Sequence, residues 1–207
     1  KAGVDAAMID DIFWGCAMPE ASQGLNVARL SSLKAGIPVE VPSATINRFC
    51  SSGLQSIALA AQEIMSGMAD VVLAGGIEMM SQVPMSGYHT RLAPELTESY
   101  IGMGFTAERV AERWKVSRED QDAWALASQQ KAAHAMRDGR FDGQIVPIPT
   151  VAVTWKGTKK DEREVPFVRD ELPRTDTTKE GLAKLKPAFK ANGTVTAGNA
   201  SPYSDGA

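Results

Sequence analysis

Cysteine is scarce in this chain, since Cys16 and Cys50 are its only two among 207 residues. Their number and separation match neither a disulfide framework nor the paired spacing of a zinc site, which favours a reducing compartment, with the cytoplasm as the default. An excess of charge of one sign is also missing. The net charge is -3, and basic residues are interspersed with acidic ones around 115–120 and 159–164. No basic face is therefore available to indicate nucleic-acid binding.

Long apolar runs are missing as well. No stretch approaches the ~20 apolar residues of a membrane-spanning helix, so we expect no membrane span. With 43% hydrophobic residues, the chain can bury a sizeable core in one large or two small domains. It starts at Lys1 rather than methionine and stops at small residues typical of the start of a helix, so we expect both ends to be cut from a longer protein.

The stretch 43–64 is the most informative part of the sequence. Residues 44–46 suit a buried strand, whereas the apolar residues after Cys50 recur at helical spacing: Leu54, Ile57, Ala58, Ala61, Ile64 and Met65. Cys50 is therefore predicted at the N-terminus of a helix, where unpaired N–H groups and the helix dipole favour a thiolate over a thiol. Since the thiolate is the nucleophilic form, Cys50 is a candidate nucleophile.

The alternative is that Cys50 is an inert buried cysteine, as most free cysteines are. The small residues Ser51, Ser52 and Gly53 favour the nucleophile, because they leave room for a ligand beside the thiol. A serine nucleophile is disfavoured, because the first glycine of the G-x-S-x-G elbow is absent.

Strands and helices alternate in the first part of the chain. Strands are predicted at 12–14, 44–46 and 69–76, and a helix at 28–35 precedes the one after Cys50. This alternation predicts an α/β fold with a mainly parallel sheet, whose ligands bind beyond the carboxyl ends of its strands. If the second and third strands are neighbours, Gly75 and Gly76 would open onto the same site as Cys50, although an ordinary turn explains them equally well. Glu78 and the methionines near it (Met79, Met80, Met85 and Met103) fit either a core or a site for an elongated apolar ligand.

The middle of the chain has a different character. An irregular stretch with His89 leads to helices at 106–114 and 117–138, the second with a capping box at Ser117. A β-prone edge segment at 145–155 is followed by a charged run, 159–164, that is typical of a solvated turn. A β-branched strand at 193–201 is expected to return to the first sheet. The predicted domains are thus 1–90 with 193–207, and an inserted domain at 91–192. His89 and His134 are expected to be solvated.

Five ordered motifs make the sequence resemble the thiolase family over its whole length. They lie at 47–55, 75–81, 103–108, 117–122 and 193–201. The resemblance implies a layered α/β fold with a mixed, mainly parallel sheet and an inserted α/β loop domain over the substrate. It also implies that a C-terminal thiolase domain, with the family's acid/base histidine and second cysteine, is absent from these residues.

The resemblance further implies a role for particular residues. Cys50 would carry the acyl group between two CoA molecules, in a double displacement with ping-pong kinetics. Coenzyme A would then be a substrate, and no cofactor or metal is expected. The residues that match the family's contacts with CoA are Met103, Arg174, Phe189, Ala197 and Ser201, although Arg174 also fits a solvated loop and Ser201 a strand-end cap.

Several functions remain open at this point. Residues 48–52 resemble the degradative 3-ketoacyl-CoA thiolases more than the biosynthetic acetyl-CoA acetyltransferases. A second hypothesis is that the chain is a non-catalytic fragment that binds CoA or takes part in assembly. A decarboxylating ketoacyl synthase is a third, which the loop domain disfavours. The expected partners are acyl-CoA, CoA and a second copy of the chain, in a homodimer or homotetramer.

Overall fold

A computed structural model describes residues 2–84, 87–88 and 91–207. The chain divides into two compact units. The first comprises Lys1–Tyr100 and Tyr203–Ala207, and the second comprises Ile101–Pro202. Among the described residues, no helix combines the length and the apolarity needed to cross a membrane.

A three-stranded parallel sheet forms the centre of the first unit. Its strands are β1 (Asp11–Gly15), β2 (Ala44–Ile46) and β3 (Val72–Gly76), in the order β2-β1-β3. The helices α1 (Val27–Lys34) and α2 (Ser52–Ser66) connect and cover them, which confirms the predicted α/β fold with a parallel sheet.

The register of the sheet brings its three carboxyl ends level. Gly15 at the end of β1 lies opposite Ile46 of β2 on one side and Gly76 of β3 on the other. Since β1 lies between them, β2 and β3 are not neighbours. The proximity of Gly75 and Gly76 to Cys50 is expected only if these two strands are neighbours, so the strand order does not support it.

Helix α2 lies on the sheet through small residues. Its buried side chains are Ser52, Ser56 and Ala60, whereas the apolar stripe that identified the helix faces away. The stripe is exposed at Leu54, Ile57, Ile64 and Met65. The reason is steric. A Cβ on Gly15 would lie 2.4 Å from the carbonyl carbon of Ser52, so the backbones of β1 and α2 are close together and only small side chains of α2 fit against β1. The helix ends at Gly67, whose left-handed φ of +74° allows its N–H to reach the carbonyls of Glu63 and Ile64.

A short antiparallel pair completes the first unit. Strand β4 (Glu78–Met79) pairs with Asp205–Gly206 from the other end of the chain. Ser81 strengthens this pairing, because its N–H and hydroxyl donate to the carboxylate of Asp205 at 2.9 and 2.6 Å. These bonds hold the pKa of Asp205 below its usual value.

The second unit contains three helices and a hairpin. The helices are α3 (Met103–Trp114), α4 (Arg118–Arg137) and α5 (Lys179–Ala183). The predicted start of α4 is confirmed, since Ser117 is the N-cap and its hydroxyl accepts from the N–H of Asp120. Strands β5 (Ile148–Lys156) and β6 (Lys159–Phe167) form the hairpin.

Two predictions about the second unit are wrong. The charged run 159–164 is not a turn but most of β6, because its backbone pairs with β5 while its charged side chains stay in solvent. Residues 193–201 do not form a strand of the first sheet. Their only ladder contact within the described structure is an isolated bridge between Thr196 and Pro187. Side chains from α3 and α4 hold this segment instead, and residues 193–202 therefore group with the second unit.

Candidate active site

Cys50 lies in a tight elbow between β2 and α2, as the sequence predicts. It is exposed, whereas the other cysteine, Cys16, is buried. The elbow depends on Phe49, whose φ of +46° is in the left-handed region that bulky residues rarely adopt. The side chain of Asn47 supports the turn by accepting a hydrogen bond from the N–H of Phe49 at 2.9 Å. The elbow thus presents the Cys50 side chain to solvent immediately before the first turn of α2.

The first turn of α2 leaves space beside Cys50. A Cβ built on Gly53 would meet no heavy atom within 4 Å. Ser52, in contrast, is 4% exposed, so it does not line the open side of the elbow. The side chains of Phe49 and Leu54 are exposed and apolar. A ligand with an acyl chain could therefore approach the Cys50 thiol without meeting a side chain at Gly53.

Cys16 has the opposite environment. It follows β1, is 0% exposed, and its Sγ lies 3.6 Å from Oε1 of Glu78. Burial removes water from the thiolate and the Glu78 carboxylate repels it, so the pKa of Cys16 rises to about 11. The thiol is therefore neutral at physiological pH and inaccessible to reagents, which makes Cys16 a structural residue.

Glu78 holds the loop after β1. Its carboxylate accepts hydrogen bonds from the N–H groups of Ala17 (2.7 Å) and Met18 (3.1 Å) and from Nε2 of Gln23 (3.0 Å). Oε1 of Gln23 in turn accepts from the N–H of Met79 at 2.6 Å. The sequence left the role of Glu78 open between core and site, and the structure makes it the anchor of residues 16–23. Sequence reasoning missed Gln23, which carries no motif.

The residues matched to CoA contacts all lie in the second unit. Met103 begins α3 and is 69% exposed. The ring of Phe189 packs against the backbone of Gly104, the next residue of α3, so close that a Cβ there would lie 2.2 Å from it. Phe105 meets the same ring edge to face, with centroids 6.4 Å apart. The structure thus brings Phe189 to the first turn of α3, where Met103 lies.

The remaining matched residues are more dispersed. Ala197 and Ser201 are exposed on the segment that follows the bridge at Thr196. Arg174 lies on a different loop, held by a hydrogen bond from its backbone N–H to Oε1 of Gln129 at 2.8 Å. Its side chain is exposed, which agrees both with a contact to CoA and with a solvated loop residue.

Buried polar groups position residues 193–201. Glu108 on α3 is 4% exposed and accepts hydrogen bonds from the N–H groups of Thr194 and Val195, at 2.9 and 2.8 Å. Asn199 donates to Asp122 of α4 at 2.9 Å. These carboxylates end two of the family motifs, at 103–108 and 117–122, but sequence reasoning assigned them no role. They hold the segment that carries Ala197 and Ser201.

Of the two histidines, the structure describes His134 alone. His134 on α4 is exposed, as expected, with Nε2 3.2 Å from Oδ2 of Asp138. His89 and Met85 lie outside the described residues.

Comparison with known proteins accounts for the whole chain. The family model for the thiolase N-terminal domain matches residues 1–207. The chain is 52% identical to a 3-ketoacyl-CoA thiolase of Bacillus subtilis, over 100% of this chain and 54% of that protein. It is 44% identical to an acetyl-CoA acetyltransferase of Pseudomonas aeruginosa, over 100% of this chain and 55% of that protein.

A solved structure of a related enzyme has the same fold. The crystal structure of the Bacillus anthracis acetyl-CoA acetyltransferase superimposes with a TM-score of 0.79 at 39% identity, covering 98% of this chain and 53% of that one. The chain thus spans about half the length of the relatives that it matches. Since the family model covers every residue, this chain belongs to the thiolase family and corresponds to its N-terminal domain.

Proposed function

We propose that the protein carrying this chain is a 3-ketoacyl-CoA thiolase, an acyl-CoA C-acyltransferase, with Cys50 as its nucleophile. The observation that carries the proposal is the exposed Cys50 thiol on the strained elbow between β2 and α2. A left-handed φ at a bulky residue such as Phe49 persists only where the surrounding structure holds it, and such residues cluster at functional sites.

The reaction follows from a thiolate at this position. The sulfur of Cys50 attacks the C3 carbonyl carbon of a 3-ketoacyl-CoA, and the C2–C3 bond then breaks. C2 leaves as the carbanion of acetyl-CoA and takes a proton, while the acyl group remains on Cys50 as a thioester. The thiolate of a second CoA attacks this thioester, which releases the shortened acyl-CoA and restores the Cys50 thiolate. By the family resemblance, the proton donor and acceptor come from motifs that are not among residues 1–207.

The second unit supplies the proposed contacts with CoA. The exposed apolar groups of Met103 and Ala197 and the partly buried ring of Phe189 suit the pantetheine arm, and the Ser201 hydroxyl offers it a hydrogen bond. The Arg174 guanidinium suits a CoA phosphate. On this proposal coenzyme A is a substrate that enters and leaves, and no further cofactor takes part.

Sequence similarity favours the degradative reaction. The relative at 52% identity is named a 3-ketoacyl-CoA thiolase, whereas the acetyl-CoA acetyltransferases described above are 44% and 39% identical. On this proposal the reaction shortens fatty acyl chains, and the presence of two free cysteines supports a reducing compartment, the cytoplasm. The biosynthetic condensation of two acetyl groups is the second candidate, supported by those acetyltransferases.

The sheet also supports self-association. Within the described residues β2 is an edge strand that pairs with β1 alone, and Ala44, Thr45 and Ile46 contain neither the charge nor the proline that protects an open edge. We propose that β2 pairs with its copy across a two-fold axis, in a homodimer or a homotetramer. Light scattering of the complete natural protein tests this proposal, and a monodisperse monomer at micromolar concentration would contradict it.

The decisive experiment traps the acyl group. The complete natural protein is mixed with acetoacetyl-CoA or with a longer 3-ketoacyl-CoA, and the acylated peptide is identified by mass. We expect the acyl group on Cys50, faster transfer from the longer substrate, and a loss of several orders of magnitude in Cys50→Ser, because a hydroxyl is a far weaker nucleophile than a thiolate. Cys16→Ala is the matched control and should retain transfer. Acylation of another residue, or full activity in Cys50→Ser, would refute the proposal.

A further inference from the structure

The hydroxyl of Ser52 is bound on both sides to the elbow that carries Cys50. Ser52 is the first residue of α2 and is 4% exposed. Its Oγ accepts a hydrogen bond from the N–H of Arg48 at 2.8 Å and donates one to the carbonyl of Phe49 at 2.6 Å. The two bonds thus close onto the two residues that precede Cys50.

These bonds act where the backbone is strained. Phe49 has a φ of +46°, which costs free energy for a residue with a Cβ and needs support from its surroundings. The carbonyl that Ser52 binds belongs to the peptide linking Phe49 to Cys50. Since the peptide is planar, a fixed carbonyl also fixes the direction in which the Cys50 backbone continues.

Ser52 is itself held firmly. The clearance between Gly15 of β1 and the Ser52 backbone leaves no room even for a methyl group. The N–H of Ser52 donates to the carbonyl of Phe49 at 3.0 Å, which closes a tight turn around the elbow. The position of the hydroxyl relative to the sheet is therefore set by contacts outside the elbow.

We propose that Ser52 is a positioning residue that sets the direction of the Cys50 thiol by holding the elbow in its strained conformation. The proposal rests on the proposed function, in which Cys50 is the nucleophile. Because the hydroxyl is buried and both of its bonds go to backbone, Ser52 acts on the reaction through Cys50 and not through contact with the substrate.

Ser56 provides a matched control. It lies one turn further along α2 on the same buried face and is 0% exposed. Its hydroxyl also bonds only to backbone, because its single proton is shared between the carbonyl oxygens of Gly53 at 2.7 Å and Gly75 at 2.8 Å. Ser52→Ala and Ser56→Ala therefore each remove one buried hydroxyl from the same helix, but only the first removes hydrogen bonds to Arg48 and Phe49.

The test compares kcat, KM and the thermal midpoint of both variants in the complete natural protein. We expect Ser52→Ala to lower kcat for acyl transfer about 10- to 100-fold, because small misplacements of a reacting atom have effects of this size. KM for the acyl-CoA should stay within about twofold, because the Ser52 hydroxyl is buried and its loss removes no contact with the substrate. Ser56→Ala should lose comparable thermal stability but keep its kcat. Equal kcat losses in the two variants, or an unchanged kcat in Ser52→Ala, would overturn the proposal.

Two measurements work independently of enzyme activity. In the unsubstituted protein, the backbone amide of Arg48 should exchange its hydrogen slowly although Arg48 is exposed, because this N–H donates a hydrogen bond to Oγ of Ser52. Rapid exchange at Arg48 would overturn the proposal even if Ser52→Ala fails to fold. The rate of Cys50 alkylation by iodoacetamide should fall in Ser52→Ala and not in Ser56→Ala. If no acyl group reaches Cys50 but these two results hold, the proposed function fails while the positioning role stands.

Discussion

The difference between the two cysteines leads to a quantitative prediction. In the folded protein, iodoacetamide at pH 7 should label Cys50 and leave Cys16 unmodified. With its pKa raised from 9.0 to about 11, Cys16 is about 0.01% thiolate at this pH, against about 1% for a thiol whose pKa stays at 9.0. Ionisation alone therefore slows Cys16 about 100-fold relative to a thiol with the unshifted pKa, because only the thiolate reacts.

Burial adds a second barrier. Cys16 is 0% exposed, so the reagent reaches it only when the loop held by Glu78 opens. Labelling of Cys16 should therefore be slower than its low ionisation alone would make it. Glu78→Gln, which removes the charge beside Cys16, should raise the rate at Cys16 and leave that at Cys50 unchanged.

The assay follows both peptides by mass over time, with protein denatured in guanidinium chloride as the control. Denaturation removes both effects, so the two cysteines should then react at similar rates. Labelling of Cys16 at a rate within tenfold of Cys50 in the folded protein would refute the reasoning. Comparable labelling only in the denatured control would support it.

Three further predictions concern the free energy of unfolding. The raised pKa of Cys16 means that the neutral thiol stabilises the fold below pH 9.0 and that this contribution disappears as the pH rises towards 11, so urea titrations should show a smaller alkaline loss for Cys16→Ala. Glu78→Gln presents an amide N–H to groups that donate, which should cost about 1–3 kcal/mol in urea unfolding, and the exposed Glu98→Gln should cost nothing measurable. Gly15→Ala forces the backbones of β1 and α2 apart and should cost about 1–3 kcal/mol by the same method. Gly75→Ala, whose Cβ meets its nearest atom at 4.0 Å, should cost less, and equal losses for both glycines would contradict the close packing at Gly15.

Sequence alone determined the features that depend on neighbouring residues. The strands at 12–14 and 44–46 and the helices α2 and α4 follow from apolar spacing and from caps within a few residues, such as Ser117 with Asp120. The elbow at Cys50 could be predicted for the same reason, because a strand and a helix are separated there by only five residues, 47–51.

Local pattern misled where long-range pairing decides the structure. The charged segment 159–164 looks like a turn until β5 pairs with it, and residues 193–201 look like a strand although Glu108, 87 residues before Val195, holds them as a loop. The apolar stripe of α2 marked the helix correctly but not its buried face, because that face is chosen by the clearance over Gly15.

Only the tertiary structure decided the order of the strands and the roles of Glu78, Gly15 and Ser52. Glu78 binds the N–H of Ala17 across 61 residues of chain, and Gly15 contacts the backbone of Ser52 through space. Ser52 looks like any small residue beside Cys50 until the fold buries it and turns its hydroxyl towards Arg48 and Phe49. The physical reason is common to all three: spacing along the chain encodes helices and strands, whereas a buried polar group or a close backbone approach is defined by partners that the fold alone brings together.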